Sequence, residues 1–305
     1  MGGGGASRIG LAKGGTADEA VAVVQRAFDL GVNYFDTSDT YGTEEVMGRA
    51  LEGHRDEVTI STKLTPRHPD RSPIGLDELR FGLEEQLRKL RSEVLDVLHL
   101  HTVNALEYPH VRDVLVPEML KFRDEGKIRF LAVSERTSSD PLHEMLQLAV
   151  ADDCWDVVMV GFNLFNQSAR DDVFKAAIAK DVGVEIMASA RTEFSSPELL
   201  AAGVTRLVEA GEIDPRGIDR RDPLSFLTAG DEGVSVTEAS YRFAAHEPGV
   251  HTVLTGTGNI AHLEENVGFL NMGPLPDAIH ERLTSLFGHL TLAVQVPGRK
   301  EARRP

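Results

Sequence analysis

The sequence has a single cysteine, Cys154, in 305 residues. That excludes an internal disulfide, as suits a reducing compartment. Cys154 sits in the apolar-flanked run Asp153-Cys154-Trp155, which predicts a buried structural thiol rather than a nucleophile. Hydrophobic runs are short, and none reaches the roughly 18 apolar residues needed to span a bilayer. The stretch Met1 to Gly5 lacks the charged and apolar regions of a signal peptide. These absences predict a cytoplasmic protein. Positive charge is also scarce, with 32 basic against 48 acidic residues and a net charge of -16. Such a surface repels nucleic acid and anionic membrane, so neither is an expected partner. The acidic excess reads as a solvated surface that keeps the chain soluble. No GxGxxG run joins an early strand to a helix, which argues against a Rossmann domain. No Gly/Ser-rich linker divides the chain, so residues 1–305 read as one domain with a fraying polar tail, Pro297 to Pro305.

What is present is a regular alternation. Ala20 to Leu30 has helical apolar spacing, and Thr16 and Glu19 stand at capping-box distance before it. Gly31 ends it, and Val32 to Phe35 reads as a strand. The unit then repeats. Strands are predicted at Val58–Ser61, Val94–Leu100, Ile128–Val133, Val157–Val160, Val184–Met187 and Val250–Leu254. Helices are predicted at Leu76–Leu90, Pro117–Glu125, Pro141–Val150, Ser168–Lys180, Ile260–Phe269 and about Asp277–Leu290. Ser168 and Asp171 again have capping-box spacing. Short apolar strands alternating with helices predict an α/β fold, a parallel (β/α)8 TIM barrel. Only seven strands are legible, and the glycine run at the start reads as the end of a first strand, which predicts a truncated one. The irregular stretch Ser195 to Gly233, with one weak helix at about Pro197–Ala210, reads as an insertion over the barrel mouth or a mobile loop.

In parallel barrels, reactive groups gather at the C-terminal ends of strands. Those ends carry Asp36 and Tyr41, then Lys63, then His99 and His101. This set suits reduction of a carbonyl. Hydride arriving at carbon leaves negative charge on oxygen, which a proton donor must neutralise. Tyr41 can be that donor, with the Lys63 ammonium lowering its pKa and Asp36 holding Lys63. His101 can donate a hydrogen bond to the carbonyl oxygen. His99 lies on the same strand face and reads as a satisfied barrel histidine.

Gly31-Val32-Asn33-Tyr34-Phe35-Asp36-Thr37, with Tyr41-Gly42 and Glu45 to Leu51, resembles the signature of aldo-keto reductases. So do Ile60-Ser61-Thr62-Lys63, Asp96 to His101 and Gly126 to Ser134. Thr255-Gly256-Thr257-Gly258-Asn259 and His262-Leu263-Glu264-Glu265-Asn266 resemble the loop and helix that hold the cofactor's adenosine phosphate. The resemblance spans about residues 8 to 290. It implies a tetrad of Asp36, Tyr41, Lys63 and His101, with Tyr41 as general acid. It implies NADP or NAD without metal, and a small aldehyde, ketone, alcohol or sugar as substrate. It places Ser134, Glu135, Met159, Ser189, Arg191, Gly256, Thr257, Gly258, His262, Glu265 and Asn266 around the cofactor. The physics of the last loop agrees: Gly256 and Gly258 allow close backbone approach, and a helix N-terminus attracts phosphate.

Four positions depart from the family pattern. Glu135 stands where the family usually has Asn, and Met159 where it has Gln. Ser189 replaces an aromatic that stacks on the nicotinamide. Gly256 and His262 stand where basic residues grip a 2′-phosphate, which favours NAD. Glu135 can accept a bond from a carboxamide but cannot donate one, and Met159 hardly bonds at all. Arg191 is expected to compensate, by pairing with Glu135 or holding an anionic substrate group. These departures leave a second reading open, a catalytically weak cofactor-binding or regulatory protein. A third, a barrel lyase using Lys63 as a Schiff base, leaves the phosphate loop unexplained.

Overall fold

Among the described residues, apolar runs of two to nine residues become seven parallel strands, paired in strict chain order. They are β1 (Tyr34–Asp36), β2 (Thr59–Leu64), β3 (Leu95–Val103), β4 (Ile128–Glu135), β5 (Val157–Gly161), β6 (Gly183–Met187) and β7 (Thr252–Val253). The structure is a computed structural model that describes residues 1–4, 7–137, 139–190, 194, 196–229 and 233–290. Arg191 and the tail 297–305 lie outside the described residues.

The sheet curls into a barrel, and the first residues complete it. Asp36 N donates to Met1 O at 2.8 Å, Gly3 N donates to Asp36 O at 2.6 Å, and Gly2 N donates to Thr255 O at 2.7 Å. The segment Met1–Gly3 therefore lies between β1 and the end of β7 in place of a full strand. This is the predicted (β/α)8 barrel with a shortened first strand. The glycines there have a steric reason. A Cβ on Gly4 would stand 2.5 Å from the ring of Tyr41.

Strand alternation sorts the barrel into two faces. Leu98, Leu100, Leu131, Val133, Val158, Val160, Val184 and Ile186 are fully buried in the hydrophobic core shared with the helices. Each such side chain contributes roughly 1.5–3 kcal/mol through burial. The alternate positions, Lys63, His99, Ser134, Met159 and Glu185, are also buried but carry mostly polar chemistry.

The helices are α1 (Ala17–Asp29), α2 (Glu44–Ala50), α3 (Leu76–Lys89), α4 (Tyr108–His110), α5 (Val116–Asp124), α6 (Glu144–Ala151), α7 (Lys175–Ala179), α8 (Pro197–Glu209), α9 (Val236–Ala245), α10 (Ile260–Leu270) and α11 (Asp277–Phe287). The capping box at Thr16 and Glu19 forms as predicted. The one at Ser168 does not. Its hydroxyl contacts His143, Pro141 and Asn166 instead, and π-helical turns start at Arg170. The helix predicted from Pro141 starts at Glu144, where the Asp140 carboxylate accepts from Glu144 N and Met145 N. Helices α2, α4 and α9 escaped the sequence reading. The described part of the 195–233 stretch is packed: Leu200, Val204, Leu207, Ile213, Leu224 and Leu227 are buried. Its turns accept bonds from residues in and just after α11, Gly217 O from Arg282 and Glu212 O from His289. Cys154 is half-buried rather than buried, and burial lifts its thiol to about 11, so it is a poor nucleophile.

Candidate active site

The ends of β1, β2 and β3 bring four side chains together. Lys63 is fully buried and places its ammonium on both Asp36 oxygens at 2.5 Å and on Thr37 O at 2.9 Å. All three ammonium donors are thereby satisfied. Ser61 Oγ donates a further bond to Asp36 at 3.0 Å. A lone buried charge would cost several kcal/mol, and the pairing offsets that. Burial lowers the Lys63 pKa, and Asp36 opposes the shift.

Tyr41 lies in front of this pair, with Lys63 Nζ 5.2 Å from its ring centroid. Its hydroxyl is 3.5 Å from His101 Nε2, and the two rings meet edge to face at 5.6 Å. The predicted lowering of the phenol pKa does not occur. Burial pushes it above the ordinary value, and Asp36 and Asp39 add to the rise. The Lys63 charge is neutralised by Asp36, so the net field at the phenol disfavours phenolate. His101 is driven the other way. Burial, then Lys63, Arg67 and Arg136, lower it to about 3, so its imidazole is neutral.

Two residues missed in the sequence complete this corner. Ser38 Oγ lies 3.1 Å from His101 Nδ1 and donates to Asp39 Oδ1 at 2.9 Å. Asp39 is held in turn by Thr65 N at 2.8 Å and Thr65 Oγ1 at 3.2 Å. Their signal was present as the polar run Thr37-Ser38-Asp39-Thr40, but the bond across to β3 has no local trace.

Deeper in the barrel, His99 is fully buried and 3.3 Å from Glu185. Among the described residues neither ring nitrogen makes a well-aligned hydrogen bond to a side chain, and the Val133 backbone is the group that bonds to the ring. Asp36, His99 and Glu185 each turn one ligand-type atom to within 4.8 Å of the others. Lys63 already occupies Asp36, so that trio has no open metal face.

Ser134 Oγ accepts from Thr102 N at 2.8 Å, and Met159 is buried beside it in the strand register. Glu135 turns away from both. It is fully buried, accepts from Gly161 N at 2.8 Å, and pairs with His143 Nδ1 at 2.8 Å. Burial raises the Glu135 pKa. Burial by itself would lower His143, but the bond to Glu135 together with the charges of Glu135, Asp140 and Asp172 raises it. Ser189 Oγ is buried and has no hydrogen-bond partner among the described residues.

The profile of the aldo/keto reductase family matches residues 2–287. This chain belongs to the aldo/keto reductase family. It is 28% identical to L-galactose dehydrogenase of Arabidopsis thaliana over 86% of this chain and 82% of that protein. It is 26% identical to D-threo-aldose 1-dehydrogenase of a Pseudomonas species, covering 87% of each. Its fold is similar to two Klebsiella pneumoniae aldo-keto reductases solved in complex with NADP and acetate, and with NADPH. The TM-scores are 0.65 and 0.64, at 23% and 21% identity. The likenesses cover 89% and 95% of this chain and 86% and 89% of theirs.

In this aldo/keto reductase the loop after β7 is shaped by the protein's own backbone. A Cβ on Gly258 would stand 2.3 Å from Gly10 N and Cα, and one on Gly256 would stand 2.9 Å from Gly2 O. The glycines therefore admit the N-terminal segment, and approach to a ligand is not needed to explain them. Asn259 caps α10 by accepting from His262 N at 3.2 Å, and Thr257 Oγ1 accepts from Asn259 N at 3.1 Å. The first two amides of α10 stay free of side-chain caps, as an anion site requires. Asn266 is buried and donates to Thr255 Oγ1 at 3.0 Å, whereas His262 and Glu265 are exposed.

Proposed function

We propose that this aldo/keto reductase moves a hydride between the nicotinamide of NAD or NADP and the carbonyl or alcohol carbon of a small aldehyde, ketone or sugar. The observation that carries this reading is the buried Lys63–Asp36 pair set behind Tyr41, with neutral His101 within reach of the phenol. Two features fit a dinucleotide. One is the Ser189 hydroxyl, unpartnered among the described residues, and the other is the amides at the start of α10 that no side chain caps among them. When bound, the cofactor supplies or accepts the hydride. Tyr41, kept protonated by burial, gives its proton to the carbonyl oxygen during reduction. His101 orients the oxygen. Lys63 and Asp36 hold the site dry and positioned, with no charge left to ionise the phenol.

The two relatives named for aldoses favour a sugar as the substrate class. Arg26, a cation near α10, already pairs with Glu264 at 2.7 Å, which leaves it poorly placed for a 2′-phosphate and favours NAD. A second reading is that the protein binds a cofactor with little turnover. It is favoured by Glu135, whose carboxylate is committed to His143 and Gly161. One experiment tests both. L-galactose, other aldoses and small aldehydes are offered with each cofactor in its oxidised or reduced form, and nicotinamide absorbance is followed. Turnover that falls at least about 100-fold in Tyr41→Phe, with cofactor binding unchanged, supports the first reading. Cofactor binding without turnover supports the second. Dissociation constants for NAD and NADP decide the preference, and tighter NADP binding removes the argument from Arg26.

A further inference from the structure

In a chain with 32 basic against 48 acidic residues, an arginine finds a carboxylate easily. Arg55 pairs with Asp96, Arg80 with Glu118 and Arg170 with Glu247. Two arginines at the rim that carries His101 do not. Among the described residues, the guanidinium groups of Arg71 and Arg136 make neither an ion pair nor a hydrogen bond, and both residues are exposed.

The topology brings them to one place. Arg71 lies in the tight loop after β2, where Arg71 N donates to His68 O at 2.9 Å and His68 N to Ser72 O at 2.8 Å. Arg67 stands in the same loop and reaches across the rim to β3. Its guanidinium donates to Thr102 Oγ1 at 2.6 Å and to Glu107 Oε2 at 2.8 Å. Thr102 directly follows His101, and its amide donates to Ser134 of β4 at 2.8 Å. The β3–β4 register sets Val103 beside Glu135, so Arg136, the next residue, leaves β4 at the same rim. Glu107 neutralises Arg67. Asp39, also at this mouth, is held by Ser38 and Thr65. Burial and then the Arg67 charge push the Arg136 pKa below its ordinary value, Arg71 adds to the fall, and Glu107 opposes it. The rim thus gathers like charges, and an arriving anion relieves their repulsion.

We propose that Arg136 and Arg71, with Arg67 fixed beside them, bind an oxyanion of the substrate, a carboxylate or a phosphate remote from the reacting carbon. The proposal rests on the hydride-transfer reading and names the substrate class within it as an anionic aldehyde or sugar. A planar guanidinium offers paired N–H donors that match two oxygens of either group. Arg67 supplies fixed charge, because Thr102 and Glu107 hold it. Arg136 and Arg71 supply the free donors. The overall charge of -16 repels an anion at a distance, so the attraction has to be local. Arg67 and Arg136 also act on His101, which places their field at the reacting end of the mouth. An uncharged aldose can accept the same hydrogen bonds without the charge, so matched substrates isolate the charge.

Butanal is compared with succinic semialdehyde, and glycolaldehyde with glycolaldehyde phosphate, each with reduced cofactor at low salt. The first pair rewards a carboxylate and the second a phosphate. In at least one pair, kcat/KM for the charged partner should exceed that for the neutral one by about tenfold or more. Added NaCl should shrink the gap. In Arg136→Gln the charged-to-neutral ratio should fall about tenfold, and in Arg136→Lys by less. A wild-type ratio near one in both pairs, or a ratio unchanged in Arg136→Gln, overturns the proposal and leaves hydride transfer standing. If no aldehyde or aldose turns over, hydride transfer fails instead, and binding decides the anion site. Nitrogen-15 NMR then follows the Arg136 Nε signal, assigned through Arg136→Gln, as succinate or inorganic phosphate is added. A saturable shift with either anion, absent with neutral succinamide, supports the site. No shift, or the same shift with succinamide, overturns it.

Discussion

At the scale of single residues, the chemistry depends on burial more than on residue identity. Asp36 and Lys63 are 2% and 1% exposed, so each needs the other. Lys63→Met should destabilise the fold by about 3–5 kcal/mol, because Asp36 stays buried and unpaired. Adding Asp36→Asn should recover more than half of that. Urea unfolding of the single and double variants measures both. A double variant as unstable as the single would show that the pair is not the cause. His101 is held near 3, so it does not titrate where free histidine does. Any acid limb of kcat/KM between pH 5 and 7 should therefore persist in His101→Gln. Its loss in that variant would assign the limb to His101. The four rim residues were legible because each stands at a strand end, where barrel geometry aims side chains at one mouth. Ser38 was not legible, because its partner is 63 positions away in the chain. The Tyr41 pKa was misjudged because the sequence shows the ammonium and its carboxylate but not the burial that raises the phenol.

At the scale of elements, close backbone approaches decide where glycine stands. The loop after β7 touches the Arg8–Lys13 turn through Gly258 and Gly10. Gly258→Ala should lower stability by about 1–3 kcal/mol, since backbone on both sides must move. The loss should appear as a fall in Tm with no change in far-ultraviolet circular dichroism. An unchanged Tm would mean that the N-terminal turn yields freely. Helices with long amphipathic runs were predicted to within a few residues. α9 was missed because it lies beyond the irregular stretch and before a two-residue strand. α2 was missed because its seven residues are too short for a period to stand out. Ser168 carried the letters of a cap, yet its hydroxyl lies 3.0 Å from His143, a tertiary partner that outcompetes the local amide.

At the scale of the whole molecule, the barrel encloses a titratable interior. Burial lifts Glu185 to about 8 from an ordinary value of 4.5. Its contribution to stability is complete below 4.5 and is lost as pH rises through 8. The wild type should therefore lose stability between pH 5 and 9 by a few kcal/mol more than Glu185→Gln. Denaturant unfolding across that range measures the difference. Parallel curves would place the Glu185 carboxyl in contact with water. Among the described residues, no helix is long and apolar enough to cross a membrane.

The amino-acid sequence by itself determined the barrel. Strand and helix periods are local, and a parallel order follows once strands and helices alternate. It also determined which chemical groups meet at the mouth, because strand ends in a barrel share one rim. Only the tertiary structure decided what those groups feel. Protonation depends on burial and on charges within a few ångströms, and those distances are set by side chains that come together from distant parts of the chain. The same holds for the closing segment, whose glycines were legible as composition but were explained by the Tyr41 ring and by a backbone folded back from beyond β7.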